Sequence, residues 1–320
     1  MALVQRRLCV SIFNNPIKGA LGPRHQRAAP GSSLGRARVI VVGNEKGGAG
    51  KSTVAALIAT AMLYQGKRVS VIDLDLRQQS LSRLLANRRR WLPAAGVSAP
   101  MPLEYKLAED PAMLADDPKA AAVLFHEAVD MAMTNSDLLI IDTPGSDTAV
   151  ARAANLQADQ IVTPMNDSFV DFDVLGVIDP VSLRLLRPSH YAQEILHARA
   201  VRAEHSRLLD WLVLRNRLAG ADTNNRLRLE KAMSALSEDI GFRIGPSLRE
   251  RVGYREMFPF GLTLADVAAK VKPGASAGAR QAAREEVNAL MASLQIPGAA
   301  SESTQPRRVL ESPAAFEERP

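Results

Sequence analysis

Cysteine is almost absent from this 320-residue sequence: Cys9, near the N-terminus, is the only one. A single cysteine excludes disulfide frameworks, cysteine-based zinc sites and cysteine-ligated iron–sulfur clusters formed within one chain. The five histidines show no spacing typical of metal ligands. The cysteine usage therefore favours a protein of a reducing cytosol.

Aromatic residues and long apolar runs are also scarce. Phe, Trp and Tyr together make up 4% of the chain, which argues against a protein that stacks the bases of single-stranded nucleic acid. The sequence contains no run of about 20 apolar residues, so it predicts a soluble protein. An apolar content of 47% is that of an ordinary globular protein.

Acidic residues are missing from the start of the chain. Residues 1–44 contain seven Lys and Arg and no Asp or Glu, whereas residues 45–296 contain 30 of each sign. The net charge of +6 therefore reflects the N-terminal end, and DNA binding must be argued from a local cluster. We interpret residues 1–35 as a disordered basic tail or as translation from an upstream start codon; their composition also resembles that of a transit peptide. Residues 297–320 have the composition of a second disordered tail.

The most informative stretch is VIVVGNEKGGAGKST, at Val39–Thr53. Its apolar start predicts a buried strand, after which a glycine-rich loop leads into a helix that opens at Lys51. Such a loop turns its backbone N–H groups toward one anion at the positive end of the helix dipole. Lys51 adds a positive charge for nucleotide phosphates, and Ser52 offers a hydroxyl to Mg²⁺. The predicted nucleotide-binding residues of the loop are Gly47, Gly48, Ala49, Gly50, Lys51, Ser52 and Thr53.

This loop departs from the usual phosphate-loop pattern, G-x-x-x-x-G-K-[ST]. Glu45 occupies the position of the first glycine, and a second lysine, Lys46, stands at the start of the loop. In an arbitrary protein, Lys46 would be interpreted as a solvated loop lysine. The departure distinguishes this loop from the common one.

Acidic residues stand at two further predicted strand ends, where phosphate chemistry needs metal ligands. Asp142 closes DLLIID, the expected position of an acid that holds Mg²⁺ directly or through water. Gly145 can offer its backbone N–H to a γ-phosphate, which makes residues 143–145 a candidate switch. Asp73 and Asp75 lie two apart in an extended segment and therefore point the same way. One is suited to support Mg²⁺, and the other to reach the attacking water.

Apolar strands alternate with helices from Arg36 onward. This predicts one α/β domain over residues 36–296, a P-loop NTPase with a doubly wound, mostly parallel sheet and helices on both faces. In such sheets the ligand lies at the carboxyl ends of the strands. Residues 92–120, rich in Pro, Ala and Asp, are interpreted as an irregular connection. Strands are predicted at 37–42, 68–74, 137–142, 160–164, 211–215 and 242–244, and helices at 52–65, 76–91, 121–134 and 277–294.

The last predicted helix places Val287, Leu290, Met291 and Leu294 on one stripe. A membrane-surface helix is one interpretation, but its polar face mixes glutamate with arginine, where membrane binders are usually enriched in Lys and Arg. Packing against the core is the better interpretation of such a stripe.

Several of these motifs together resemble the deviant Walker A ATPases of the ParA/MinD family. The motifs are KGGAGKST with its extra lysine, VIDLDLRQ, DTPG and TPMNDSFVDFD. Within that family the sequence is most similar to the branch that positions the bacterial division plane, through NRRRWL, VLRNRL, GFRIG and YREMFPFGLTL. The resemblance covers about residues 36–296, and the loop and NDSFVDFD are its most specific parts.

The resemblance implies that two subunits close face to face on two ATP molecules. Lys46, at the signature-lysine position, would reach the partner's nucleotide, while Lys51 serves its own. Asp75 matches the family's water-positioning acid. The other matched positions are Ser52, Asp73 and Asp142 for Mg²⁺, Gly145 for the γ-phosphate, and Asn216 with residues 244–248 for adenine.

Dimers of this family often bind double-stranded DNA without sequence preference. Phosphate contacts by a basic cluster would be salt-sensitive, and dimerisation would double the patch, so that DNA affinity depends on ATP. A solvated face of mixed charge is the competing interpretation. Residues 88–90 are a second, weaker candidate. The main candidates are Arg215, Arg217, Arg226, Arg228, Lys231, Arg249, Arg251 and Arg255.

The resemblance implies a slow, Mg²⁺-dependent ATPase that works as a homodimerisation switch and positions the division plane. It would act in the bacterial cytoplasm, at the nucleoid, with ParB, FtsZ and non-specific DNA as partners and without a membrane. Alternatives are a ParA-type chromosome or plasmid partition ATPase, a MinD-like membrane-bound regulator, a reductase like the nitrogenase iron protein, and a binding module without catalysis. The missing cluster cysteines argue against the reductase, and the intact site residues argue against the binding module.

Overall fold

The computed structural model describes residues 11–13, 36–110, 114, 116–166, 168–216, 223–249 and 256–296. At 11–13, 169 and 223–226 it describes the backbone alone. The predicted tails lie outside these residues, except for the short strand at Ser11–Phe13.

Ten strands lie in the described part of the chain: β1 (Ser11–Phe13), β2 (Arg38–Val42), β3 (Val69–Asp73), β4 (Leu103–Lys106), β5 (Leu138–Asp142), β6 (Gln160–Asn166), β7 (Gly176–Ile178), β8 (Leu185–Pro188), β9 (Asp210–Asn216) and β10 (Arg243–Ile244). Eight of them form one sheet in the order β1-β4-β3-β5-β2-β6-β9-β10. All of its neighbours pair in parallel except β1, which lies antiparallel on β4 at the edge.

Helices cover both faces of this sheet. They are α1 (Lys51–Tyr64), α2 (Ser80–Ala94), α3 (Pro118–Asn135), α4 (Ala149–Gln157), α5 (His190–Glu204), α6 (Thr223–Ile240), α7 (Leu264–Ala268) and α8 (Ala277–Ser293). One core packs α3 to α6 on one face, and a second packs α1, α2, α7 and α8 on the other. Strand β2 serves both cores, with Val39 and Val41 on one face and Ile40 and Val42 on the other. The predicted doubly wound α/β fold is confirmed.

The strand registers bring three carboxyl ends together at one edge of the sheet. Val42, at the end of β2, lies opposite Asp142 of β5, and Asp142 lies opposite Asp73 of β3. The chain leaves β2 at this edge to form the glycine-rich loop before α1. The motifs singled out in the sequence therefore converge on one place, as expected for a parallel sheet.

The prediction of an irregular connection over residues 92–120 is wrong in part. Strand β4 lies inside this stretch and pairs in parallel with β3. Its sequence, LEYK, contains no apolar run, because Glu104 interrupts it. The Glu104 side chain is nevertheless buried, and it pairs with Arg89 at 3.0 Å. A buried acid in an ion pair cannot be distinguished from a surface acid by local pattern, so this strand had no clear sequence signal.

An antiparallel hairpin of β7 and β8 lies between β6 and α5 and follows a 3₁₀ helix at Phe169–Val174. Helix α6 contacts the hairpin where its loop enters β8. The backbone N–H of Leu185 donates to Asp239 Oδ2 at 3.1 Å, and Arg184 pairs with the same carboxylate. The sequence pattern had assigned no structure to this segment.

The last helix packs as the sequence predicted. Val287, Leu290, Met291 and Leu294 are all buried in the core that contains α1 and α7. Within the described ranges, none of the helices combines the length and apolar character required to cross a membrane.

The prediction of a second DNA-binding cluster at residues 88–90 is wrong for Arg88. Its side chain is 1% exposed, and its guanidinium donates to both carboxylate oxygens of Asp266 at 2.8 and 2.9 Å. Arg89 pairs with the buried Glu104, so Arg90 is the exposed residue of the three. Asp266 lies on α7, far along the chain, and a run of three arginines does not reveal such a distant partner.

Candidate active site

The glycine-rich loop joins the central strand of the sheet to the N-terminus of α1. Gly50, which precedes α1, has a φ of 90°, and a Cβ at this position would lie 2.2 Å from Asn216 Nδ2. Only glycine meets both conditions without strain. The first turn of α1 contains no acidic residue, so its free N–H groups favour an anion.

Lys51 turns its ammonium back into the loop. Its Nζ donates to the Lys46 carbonyl oxygen at 3.0 Å, and the residue is buried. Burial lowers the pKa of Lys51, while the carboxylates of Asp142 and Asp75 act in the opposite direction. A partly desolvated ammonium at a helix N-terminus is suited to bind phosphate oxygens.

Two asparagines tie the loop to neighbouring strand ends. Asn44 Oδ1 accepts from Lys46 N at 2.7 Å, and Asn44 Nδ2 donates to the Pro164 carbonyl at 2.7 Å. Asn216 Nδ2 donates to the Ala49 carbonyl at 2.8 Å. Sequence reasoning missed Asn44, although its position directly after β2 in the motif was an available signal. The structure places Asn216 against the loop, and its contact with adenine stays a prediction.

Residues 244–248 continue β10 alongside β9. The N–H of Gly245 donates to the Val213 carbonyl, and that of Leu248 to the Arg215 carbonyl, at 2.8 Å each. This region therefore lies beside the end of β9, where Asn216 is found. Its predicted contact with adenine stays a prediction.

Asp142 is the most deeply buried acid of the site. It has no exposed surface, and neither of its carboxylate oxygens has a hydrogen-bond partner among the described residues. Burial and the neighbouring Asp73 raise the pKa of Asp142 well above its ordinary value, whereas the nearby Ser52 hydroxyl and Lys51 ammonium lower it. Buried carboxylate oxygens without a partner are the donors that a hard cation would satisfy. Asp142 and Ser52 therefore fit as protein ligands of Mg²⁺.

Asp73 differs from Asp142 because both of its oxygens are occupied. Oδ1 accepts from Asp75 N at 3.0 Å, and Oδ2 accepts from Ser82 N at 2.9 Å. Burial raises the pKa of Asp73 to about 6, although these hydrogen bonds lower it. The carboxylate is thus oriented by the backbone and suits an outer position, with water between it and the metal.

The described residues contain no group of three His, Cys, Asp or Glu side chains arranged to hold a metal ion. Mg²⁺ at a phosphate site does not require one, because phosphate oxygens and water complete its octahedral shell beside one or two protein ligands. The fit of this site to Mg²⁺ therefore depends on the phosphates being bound as well.

Asp75 lies in the turn that precedes α2 and is partly exposed. Its Oδ1 accepts from Gln78 N at 2.9 Å, which fixes the direction of the carboxylate. Its charge reaches Lys51, whose pKa it raises. A carboxylate held in this way beside the loop is placed to orient a water molecule, and that role stays a prediction.

The turn at residues 143–145 packs directly on the loop. A Cβ at Gly145 would lie 3.2 Å from Gly47 N and 3.3 Å from Lys51 Nζ. The N–H of Thr143 donates to the Val42 carbonyl at 3.1 Å, at the start of the same loop. The turn therefore contacts the loop directly, and its role as a switch stays a prediction.

Lys46 makes its contacts at the outer side of the loop. Its ammonium donates to the Val170 carbonyl and lies 3.3 Å from Asp171 Oδ1. Both residues belong to the 3₁₀ helix at Phe169–Val174. Sequence reasoning missed Asp171 as a partner of Lys46, although it quoted the NDSFVDFD segment that contains it.

The predicted DNA contacts are described only in part. Arg228 and Lys231 lie on the exposed side of α6, and Arg249 is exposed. Arg215 is mostly buried and pairs with Glu230 at 3.3 Å. The other candidates lie outside the described residues or are described by their backbone alone: Arg217, Arg226, Arg251 and Arg255.

Asparagine at position 142 is expected to stabilise the chain in the absence of nucleotide. Asp142→Asn removes a buried carboxylate whose raised pKa means that its ionised form opposes folding. This cost is absent at pH values below the ordinary carboxyl pKa, which applies to the unfolded chain. It reaches its full size only at pH values above the raised pKa of the folded chain. The variant should therefore gain more stability over the wild-type chain at pH 8 than at pH 5. Each kcal/mol gained in the free energy of unfolding should raise the melting temperature by about 2–4 °C.

Thermal melts at both pH values, with and without Mg²⁺ and ATP, measure this effect. The variant should also lose the stabilisation that Mg²⁺ and ATP confer, because it lacks the anionic ligand. Asp130→Asn, at an exposed position on α3, is the matched control. A lower melting temperature than wild type at pH 8 without nucleotide would contradict the prediction.

Three solved structures illustrate the likeness of this fold to known proteins. McdA from Cyanothece superposes with a TM-score of 0.52 at 18% identity, over 80% of this chain and 100% of that one. A putative plasmid partition protein from Borrelia burgdorferi bound to AMPPNP has a TM-score of 0.52 at 13% identity, over 80% and 98%. MinD from Pyrococcus horikoshii with Mg-ADP has a TM-score of 0.50 at 19% identity, over 78% and 94%. These likenesses show the fold.

Curated relatives match a shorter part of the chain. The cytosolic Fe-S cluster assembly factor NUBP2 of Mus musculus is 32% identical over 133 residues, 37% of this chain and 48% of that protein. The iron-sulfur cluster carrier protein of Escherichia coli is 25% identical over 174 residues, 46% and 47% of the two chains. The chain thus spans about half the length of these relatives.

A family model described as ATPase MipZ matches residues 38–298. The match includes the loop, the acids at the strand ends and all the helices described above, so it covers most of the chain. The resemblance to the division-positioning branch of the ParA/MinD family is confirmed. The chain belongs to the MipZ family of ParA/MinD-type P-loop ATPases.

Proposed function

We propose that this chain is an ATP-dependent dimerisation switch that hydrolyses ATP slowly and positions the cell-division plane. The proposal rests on the different placement of two lysines in one loop. Lys51 is buried and turned into its own site, whereas the Lys46 side chain is 31% exposed at the outer side of the loop. One ammonium thus faces the subunit's own nucleotide site, and the other lies at the outer side of the loop, where a second subunit would meet it once it leaves Val170 and Asp171.

Within one subunit, the loop N–H groups and Lys51 bind the phosphates of ATP at the N-terminus of α1. Ser52 and Asp142 would hold Mg²⁺, and Asp73 would support it from the outer shell. When bound, Mg²⁺ would neutralise phosphate charge. Asp75 orients the water that attacks the γ-phosphorus, and the leaving group is ADP.

Lys46 adds the part of the mechanism that depends on the dimer. An ammonium from the second subunit neutralises phosphate charge only when the two subunits meet, so ATP favours the dimer. Hydrolysis and release of the γ-phosphate remove the charge that Lys46 binds. The dimer then separates, and the cycle can restart from the monomer.

Family membership supports the proposed partners, and the surface charge adds support for DNA alone. Arg228 and Lys231 are exposed on α6, and pairing two subunits doubles this patch. The ATP-bound dimer would bind nucleoid DNA without sequence preference and block FtsZ assembly. ParB would recruit the monomer. The protein would act in the cytoplasm, at the nucleoid.

Alanine at Asp75 tests the switch. Without the acid that orients water, ATP turnover is expected to fall by about 100-fold or more, and the ATP-bound dimer should accumulate. Light scattering of Asp75→Ala with Mg²⁺ and ATP measures the dimer, and phosphate release measures turnover. Asp130→Ala is the control on an exposed acid. A variant that stays monomeric with bound ATP would rule out the closure of two subunits on two ATP molecules.

The partners are tested with the Asp75→Ala variant, in which the ATP-bound dimer is expected to accumulate. A pull-down against duplex DNA, ParB and FtsZ, repeated at rising salt, separates the three interactions. DNA binding should weaken steeply with salt and when Arg228 and Lys231 are both replaced by alanine. Binding that is equal with and without ATP would contradict an ATP-dependent patch.

A partition ATPase of the ParA type is the second candidate, because the chain belongs to the wider group of ParA/MinD-type ATPases. Its folded site would be the same, so only partners discriminate. FtsZ sedimentation that is unaffected by the ATP-bound protein would favour partition. Liposome flotation with ATP tests the MinD-like alternative, for which the core-packed α8 predicts a negative result.

A further inference from the structure

Lys46 is held inside its own subunit. Its ammonium donates to the Val170 carbonyl and lies 3.3 Å from Asp171 Oδ1. These two acceptors are more than 120 residues away in sequence and belong to the 3₁₀ helix at Phe169–Val174, not to the loop. The contact therefore connects the start of the nucleotide loop to the segment that follows β6.

Asp171 is the fixed member of this pair. The residues that follow it, Phe172, Val174 and Leu175, are buried in the core, so the 3₁₀ helix is anchored on the C-terminal side of the carboxylate. The N–H of Asp171 donates to the Ser168 carbonyl at 2.9 Å, and the side chain of Asp171 is only 13% exposed. Its carboxylate therefore has little freedom to follow the lysine.

Lys46 is the movable member. Its side chain is 31% exposed and extends from a loop of glycines and small residues. A lysine side chain has many rotamers, and its ammonium can exchange one set of acceptors for another. The same ammonium cannot be fully engaged by Asp171 and Val170 and also bind the phosphates of a second subunit.

We propose that Asp171 is a positioning residue that holds Lys46 within the monomer and so opposes ATP-dependent dimerisation. This inference rests on the proposed function, because it assigns a resting place to the lysine that acts across the dimer. Each subunit must break the contact between Lys46 and Asp171 before it can join its partner. The strength of that contact sets the protein concentration at which the dimer forms.

Asparagine at Asp171 should therefore strengthen the dimer. Asp171→Asn keeps the shape of the side chain and removes its charge, so Lys46 is released at little cost to the fold. A partly exposed ion pair contributes about 0.2–1 kcal/mol, and the dimer releases two of them, one in each subunit. Converted at 1.4 kcal/mol per tenfold, the dissociation constant of the dimer should fall by about 2- to 25-fold.

The dissociation constant is measured by light scattering or sedimentation over a concentration series with AMPPNP and Mg²⁺. Asp173→Asn is the matched control, because Asp173 is an exposed acid on the same 3₁₀ helix. A second measurement follows the rate at which acetic anhydride modifies Lys46 in the nucleotide-free chain. Only Asp171→Asn should increase that rate, whereas a merely structural role of Asp171 would leave it unchanged.

The outcomes are separable. If the wild-type chain dimerises with AMPPNP and Asp171→Asn has the same or a larger dissociation constant, the positioning role of Asp171 is overturned and the switch stands. If Lys46 is modified at the wild-type rate in Asp171→Asn, the positioning role is overturned as well. If the wild-type chain stays monomeric with bound AMPPNP, the proposed function fails, and the inference fails with it.

Discussion

Alanine at Lys46 is expected to abolish ATP-dependent dimerisation and to leave binding of ATP to the single subunit largely intact. Lys51 and the loop N–H groups remain in the variant, so a subunit's own nucleotide keeps its phosphate contacts. The partner's nucleotide, in contrast, loses an ammonium at a buried interface. Removing one member of such a charge pair costs about 2–5 kcal/mol, and the dimer loses two such pairs, which corresponds to a dimer at least about 700-fold weaker.

Two measurements on Lys46→Ala separate these effects. Light scattering with AMPPNP and Mg²⁺ reports the dimer, and titration with a fluorescent ATP analogue reports nucleotide affinity. Lys119→Ala, at an exposed position on α3, is the matched control. Dimerisation of wild-type strength would show that Lys46 does not act across the interface. Loss of ATP affinity as large as the loss of the dimer would show that it acts within its own subunit.

Alanine at Arg88 is expected to lower the free energy of unfolding by about 3–5 kcal/mol. The guanidinium donates to both oxygens of Asp266 and to the carbonyls of Gly261 and Pro100. Although burial by itself lowers the pKa of Arg88, the hydrogen bonds and charge of Asp266 raise it overall, so the guanidinium stays charged. Its removal would leave the fully buried Asp266 without its counter-charge.

Urea or thermal unfolding followed by circular dichroism measures this loss. The melting temperature should fall by roughly 2–4 °C for each kcal/mol. Arg90→Ala is the matched control: Arg90 is exposed on the same helix, and its loss should change stability by less than about 0.5 kcal/mol. If the two variants lost equal stability, the ion pair would not be what joins α2 to α7.

Much of the fold could be predicted because the central strands are buried on both faces. Strands β2, β3 and β5 were placed to within one or two residues, since each is a mostly apolar run. The same pattern fails for β4, where a buried glutamate interrupts the run. The hairpin of β7 and β8 was missed because it stands outside the main sheet, with Val177, Leu186 and Arg187 exposed.

The candidate site could be predicted in its residue types but not in its contacts. The acids at the ends of β3 and β5 were identified from their position after apolar runs, and their convergence followed from a parallel sheet. The different surroundings of Asp73 and Asp142 could not be predicted from the sequence pattern. Asp142 is left without hydrogen-bond partners among the described residues, whereas Asp73 accepts two backbone hydrogen bonds. Which of the two can reach a metal directly depends on that difference.

The sequence by itself determined the phosphate loop, its two lysines, the central strands and the helix that follows the loop. These features depend on residue type and on spacing within one strand–loop–helix unit, where neighbours in the chain are neighbours in space. Only the tertiary structure decided what the charged side chains contact. Lys46 meets Asp171 across 125 residues, and Arg88 meets Asp266 across 178. Whether a cation is free for a ligand or held by a distant carboxylate depends on such long-range packing, which a local pattern does not contain.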